Sequence, residues 1–189
     1  MSTWKFDPAH TSIEFVAKHM MITNVKGHFA SFDGEIVEQG EDPLTAVVDF
    51  TIQADSLTTG NEQRDGHLRS PDFLDAAAHP TIAFKSTKVE SRGGDRYAFT
   101  GDLTIRGVTR PVELDVTLEG KATSMQGKKL YAFNATTSFN RKDFGLNWNV
   151  ALEAGGWLVG EQVKINIDAE IVEESLLPAE ATASAQSAQ

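Results

Sequence analysis

The sequence predicts an all-β fold, a closed antiparallel barrel of roughly eight strands broken by one short helical insertion. Three observations point there. Apolar residues recur with period two through most of the chain, and that period puts one residue set on one face of a strand. Turn-forming clusters containing glycine separate these segments at 38–43, 92–95, 106–111 and 119–129, and short connections favour antiparallel neighbours. An open sheet this wide would leave its edges and its apolar face uncovered, which closure avoids. A β-sandwich satisfies the same periodicity, so alternation alone does not separate the two.

In order along the chain, TSIEFVAKH at 11–19 has the apolar set Ile13, Phe15 and Ala17, with His19 continuing its register. AVVDFTIQA at 46–54 sets Ala46, Val48, Phe50, Ile52 and Ala54 against Asp49, Thr51 and Gln53. The pattern repeats at Ile82 and Phe84, then at Tyr97, Phe99, Leu103 and Ile105, then at Val112, Leu114, Val116 and Leu118. Tyr131, Phe133 and Phe139 follow, and Val163, Ile165, Ile167 and Ile171 form the last set. The inward positions mix large rings with the small residues Ala17, Ala46, Ala54 and Gly101, a spacing that predicts a lane through the interior.

The connection from Ala54 to Thr81 is too long for a bare hairpin loop. Thr59-Gly60-Asn61-Glu62 fits a capping box, so a short helix is expected to start there, with Asp65 and Arg69 four apart in the favourable acid-before-base order. Ser70-Pro71 offers a second N-cap with proline at the first helical position and Asp72 in the first turn. Pro80 ends the excursion. The insertion is expected over about 58–78, with Leu68, Phe73 and Leu74 plugging one end of the barrel.

Arg64, Asp65 and His67, with His79 a little further on, raise the question of an Asp–His dyad. Hydrolytic chemistry would need a nucleophile or a metal beside it. The chain has no cysteine, no Gly-x-Ser-x-Gly and no His-x-x-x-His or His-Glu-x-x-His. The cluster therefore reads as the polar dressing of the insertion, and no catalytic residue is assigned. His10 and His28 lack ligand spacing, so neither a metal nor another cofactor is expected. His19 is either a hydrogen-bonded interior histidine or a polar contact for a ligand head group. The irregular stretch 140–160 carries Trp148 and Trp157. It is either a long hairpin connection whose aromatics cap the core or a rim over an apolar mouth, where Arg141 and Lys142 meet an anion.

At 189 residues the chain fits one domain, over 1–174, followed by an aperiodic small-residue tail, 175–189, expected to be disordered. A net charge of −10 argues against nucleic acid, and no apolar run approaches a membrane span, so no stable membrane insertion is expected. The opening MSTWKFDPAHTSIEF shows no secretory pattern, and the protein is expected in the cytoplasm.

Several blocks carry a family resemblance: WKFDPAHTSIEFVAKHM at the start, VKGHFASFDGEI, RDGHLRSPDFLD with HPTIAFKS, FTGDLTIRGVTRPVEL, FNRKDFGLNWN and VGEQVKINIDAEI. In that order, from Trp4 to about Val172, they resemble the YceI-like family of lipocalin-type proteins. Two departures are the missing leader, where many relatives are periplasmic, and His79, where an aromatic commonly precedes the proline. The resemblance implies a lipocalin-like barrel with a helical insertion, a tunnel for a long apolar molecule such as a polyisoprenoid or isoprenoid quinone, and a homodimer. It implies no catalytic centre at RDGHL.

The expected ligand is a long-chain isoprenoid or other amphiphilic lipid, carried without turnover. Its tail would meet Ile13, Phe15, Ala17, Phe50, Ile52, Phe84, Phe99, Leu103, Phe133 and Phe139, with Trp148 and Trp157 at the rim and His19 and Arg141 at the head. The rival readings are an enzyme acting on an isoprenoid or quinone inside the barrel, and a stress-related interaction module with a filled interior.

Overall fold

The computed structural model describes residues 1–40 and 42–174, so the expected C-terminal tail lies outside the described residues. One antiparallel sheet contains β1 (Ser2–Phe6), β2 (Ser12–His19), β3 (Thr23–Phe29), β4 (Phe32–Gln39), β5 (Asp42–Gln53) and β6 (Leu57–Thr58). It continues through β7 (Thr81–Gly93), β8 (Arg96–Ile105), β9 (Val108–Thr123), β10 (Lys129–Asn140) and β11 (Val159–Glu173).

These segments make eight staves. β1 and β2 both run along β11, pairing Phe6 with Ile171 and Ile13 with Ile167, and so form one stave with a break between them. β3 with β4 and β5 with β6 form two more, held through their kinks by Gln53 N–H to Ser31 O at 2.9 Å and Ala30 N–H to Ser56 O at 3.2 Å. Each stave pairs with its neighbour in sequence, and the pairing of β11 with β1 and β2 closes the ring. Closure settles barrel over sandwich. The β8–β9 turn is the tight kind: Arg106 and Gly107 have φ of 49° and 71°, the left-handed pair that lets a two-residue hairpin follow the strand twist.

The insertion enters at what we term the helical end and differs from expectation in two details. The helix α1 (Glu62–Arg69) is capped by Asn61, whose side chain accepts the Arg64 N–H at 3.0 Å, and not by Thr59. Thr59 is instead drawn to the Asp65 carboxylate through both its amide and its hydroxyl. Ser70 starts no second helix. It is the C-cap of α1, its hydroxyl donates back to His67 O at 2.7 Å, and residues 71–74 form only turns. Leu68 and Leu74 pack on the large core cluster around Phe73, Ile82, Ile105 and Phe144, so the insertion does plug this end. A smaller cluster around Ala46, Phe99 and Val116 lies farther along the barrel. Among the described residues no helix is long and apolar enough to cross a membrane.

Candidate functional site: the barrel cavity

Between the two clusters lies a cavity of about 260 Å³, walled by inward residues of nearly every stave. A packed core holds few voids larger than a water molecule, and an engineered apolar cavity of ~150 Å³ already stays dry and takes up an aromatic ligand. This interior is therefore ligand-sized space. Its wall is apolar apart from Thr137 and Arg141.

The cavity survives a lining rich in phenylalanine because three of the rings lie against the wall. Phe15 covers Gly27, its cross-strand partner, and a Cβ there would stand 2.6 Å from Phe15 Cε1 and closer still to Cζ. Phe50 covers Gly34 in the same way, with 2.5 Å to a Cβ, and Phe84 covers Gly101, also at 2.5 Å. Each glycine gives its ring a seat, and the lumen beside it stays clear. This corrects the small-residue lane: Ala17 lines the cavity, whereas Ala46 and Ala54 are packed in the clusters and Gly101 is under a ring.

Arg141 closes the wall at the helical end. It is 3% exposed and donates to backbone carbonyls: Nε to Gly160 at 2.8 Å, Nη1 to Leu146 and to Trp148 at 3.0 Å, and Nη2 to Val159 at 3.3 Å. Its role is thus to staple the 146–160 segment over the barrel, with four of its five donors used. Burial pushes the guanidinium below its ordinary pKa, and the nearby Glu161 works in the opposite direction. The chain reaches this position because Asn140 caps a single 3-10 turn (Arg141–Phe144), and Gly145, at φ 76°, ends it and sends the chain back under the guanidinium.

Eleven of the fourteen residues expected at the site line the cavity: Ile13, Phe15, Ala17, Phe50, Ile52, Phe84, Phe99, Leu103, Phe133, Phe139 and Arg141. Three do not. His19 keeps its register at the last position of β2, paired with Val159 and Thr23, but is exposed. Trp157 is likewise half-exposed on a hairpin. Trp148 packs on the core, its ring 4.5 Å from that of His67 and 5.3 Å from that of Phe73, as a cap rather than a wall. The sequence reading missed Phe6, Phe29 and Leu57, which lie in strands too short or too close to kinks to show alternation.

Of the RDGHL block, Leu68 lines the cavity, and the polar side chains stay outside the wall. Asp65, 5% exposed, accepts from Thr58 Oγ1 at 3.1 Å, Thr59 N–H at 2.8 Å and the Thr59 hydroxyl, while His67 turns away to Asp72 at 2.8 Å. The dyad is not assembled. Burial works to raise the Asp65 carboxyl, but the bonds from Thr59 and Thr58 and the charge of Arg69 outweigh it and hold it below the ordinary carboxylate range. Arg69 in turn donates to Leu57 O, which ties α1 to β6. Asp7, His10 and Glu170 also converge, yet Asp7 is occupied in turning β1 into β2 by accepting Ala9 N–H and bonding His10 Nδ1 at 2.8 Å.

The YceI-like domain model matches residues 4–171. A UPF0312 protein of Staphylococcus aureus strain N315 is 37% identical over 171 residues, covering 90% of this chain and 97% of that one. Among solved structures, a Campylobacter jejuni YCEI protein is 30% identical over 84% of this chain and 90% of its own, with a TM-score of 0.71. A polyisoprenoid binding domain from Saccharophagus degradans, 14% identical, shares the fold with a TM-score of 0.64 over 90% of this chain and 98% of its own.

Proposed function

The chain belongs to the YceI-like family, and we propose that its barrel binds the apolar chain of a long isoprenoid lipid and serves as a carrier or store for it. The observation that carries this reading is the 260 Å³ cavity with an apolar wall broken only by Thr137 and Arg141. The shared fold of the Saccharophagus degradans polyisoprenoid binding domain supports the class of ligand. A carrier fits better than an enzyme, because among the described lining residues Arg141 alone is ionisable and its donors are spent on carbonyls.

Affinity follows from the reference state. At ~0.8 kcal/mol per methylene an isoprene unit gains ~3–4 kcal/mol on leaving water, so eight such units would exceed the ~20 kcal/mol that noncovalent complexes reach. The real competitor is a bilayer in which the chain is already dry. Net affinity is then modest, exchange is possible, and selectivity comes from cavity width. Mass spectrometry of an organic extract of the purified protein tests this: a stoichiometric polyprenyl or quinone species is expected, and chemical conversion of that species during incubation would favour an enzyme. The homodimer implied by the family resemblance belongs to the same reading and is checked by sedimentation velocity.

A further inference from the structure

Resting on the reading that the cargo comes from a membrane, we infer that the helical end of the barrel docks on an anionic lipid bilayer through the β2–β3 tip and the 150–158 hairpin beside it. The first tip is Met20-Met21-Ile22, with Met21 62% and Ile22 78% exposed. The second presents Trp157, the residue type most suited to a membrane interface, and exposed Val150. The two form one surface: Met20 N–H donates to Leu158 O at 2.7 Å, and the Met21 sulfur covers Gly156, where a Cβ would collide with it.

Met20 and Met21 have φ of 52° and 64°, a region that asparagine or glycine enters at lower strain. Apolar side chains are thus kept where the backbone favours others, and strain of this kind gathers at functional sites. The turn is also suited to a poorly hydrated region, because Ile22 N–H bonds His19 O at 3.2 Å and Leu158 N–H bonds Val150 O at 2.9 Å.

Charge selects the partner. Lys26 and Lys164 flank Val16 across three strands on the outer face, and Lys18 follows on the same face next to the tip. All three are exposed, and among the described residues none has a carboxylate within ion-pair distance. Of the acids near these lysines, Glu161 is held by Lys142, and Glu113 and Asp115 by Arg92 and Arg96; Glu14 lies farther down the strand and Glu153 on the second tip. The insertion and the 3-10 turn at the same end add Glu62, Asp72, Asp75 and Asp143, of which Asp72 bonds His67. Screening over ~8 Å at physiological salt lets contacting lysines outweigh the distant charges behind the net −10. The surface is also continuous with the cavity, since Ala17 and Val159 line it and Val159 pairs with His19, the residue before the tip.

The test is flotation of the full chain with vesicles of phosphatidylcholine plus phosphatidylglycerol, against phosphatidylcholine alone. Binding to the anionic vesicles, weakened by salt, is expected. Partitioning should fall about tenfold or more in Met21→Asn/Ile22→Ser, whose changes lie on exposed side chains, and salt sensitivity should fade in Lys18→Gln/Lys26→Gln/Lys164→Gln. No binding by the parent, or binding unchanged in both variants, overturns the inference. So does a parent dimer that becomes monomeric in the Met21/Ile22 variant, which would assign the surface to a second copy. Extraction of bound lipid from the same preparations keeps the two claims apart: cargo without vesicle binding defeats docking alone, and vesicle binding by an empty barrel defeats the cargo reading alone.

Discussion

Gly27→Ala tests the seating of phenylalanine rings against the wall. The added Cβ would lie 2.6 Å from Phe15 Cε1 and 2.9 Å from Thr58 O, where ordinary contact begins at 3.4 Å. The Phe15 ring must yield by about 1 Å, for which the free space is the lumen, and the Thr58 carbonyl, being backbone, must shift as well. An off-rotamer ring costs ~0.5–1.5 kcal/mol, while replacing a strand glycine by alanine returns ~0.5–1 kcal/mol. With the backbone adjustment at Thr58 added, Gly27→Ala should lose no more than ~1–2 kcal/mol in urea titration while extracted lipid falls. Gly66→Ala is the control: nothing lies within 4 Å of that Cβ, so the variant should gain slightly from helix propensity and keep its lipid. Unchanged lipid in Gly27→Ala together with a loss of ~3 kcal/mol or more would mean that the ring has nowhere to go, and would refute the open lumen.

Arg141→Met keeps the stem but leaves four buried or part-buried carbonyl bonds unmade, and a loss of ~3–5 kcal/mol is expected from urea titration. Arg141→Lys should rescue little, because an ammonium cannot serve carbonyls in the guanidinium's fork geometry; full rescue would make the residue a charge contact instead. Asp65, with its carboxyl pKa lowered by folding, contributes stability above the unfolded value near ~3.9 that is lost as pH falls through the folded value. Asp65→Asn should accordingly be less stable than the parent at neutral pH and show a flatter loss in acid, with lipid retained; equal acid profiles would contradict this. Ala17→Trp should fold and lose lipid, whereas Ala54→Trp, at a site 1% exposed in the core, should lose ~1–3 kcal/mol or more, and a reversed pattern of melting temperatures would misplace the cavity.

Period-two alternation made the barrel and its inward set legible because each residue's face is a local property of a strand. Ile13, Phe15, Phe50 and Phe84 needed nothing more. The glycine seats were not legible. Gly27 and Gly34 carry no pattern of their own until register sets them opposite Phe15 and Phe50, and register is a relation between segments. The exposure of His19 was hidden for a related reason: alternation fixes a face but not how far a strand's last residue is covered by its neighbours. Arg141 looked like a free cation because its acceptors are backbone carbonyls, which leave no trace in the residue pattern. The capping box lost to Asn61 once Asp65, buried beneath Thr58 and Thr59, claimed the Thr59 hydroxyl.

The central claim is that the barrel interior is occupied by a long apolar lipid. Native mass spectrometry of the purified full chain, followed by organic extraction and a melting curve of the stripped protein, tests it most directly. The account predicts a discrete mass increment per chain, an extract containing one polyprenyl or isoprenoid-quinone class, and a melting temperature that drops on stripping and returns when that lipid is added. A chain that is lipid-free as isolated, and whose melting temperature does not move with added polyprenyl or quinone lipid, would contradict it.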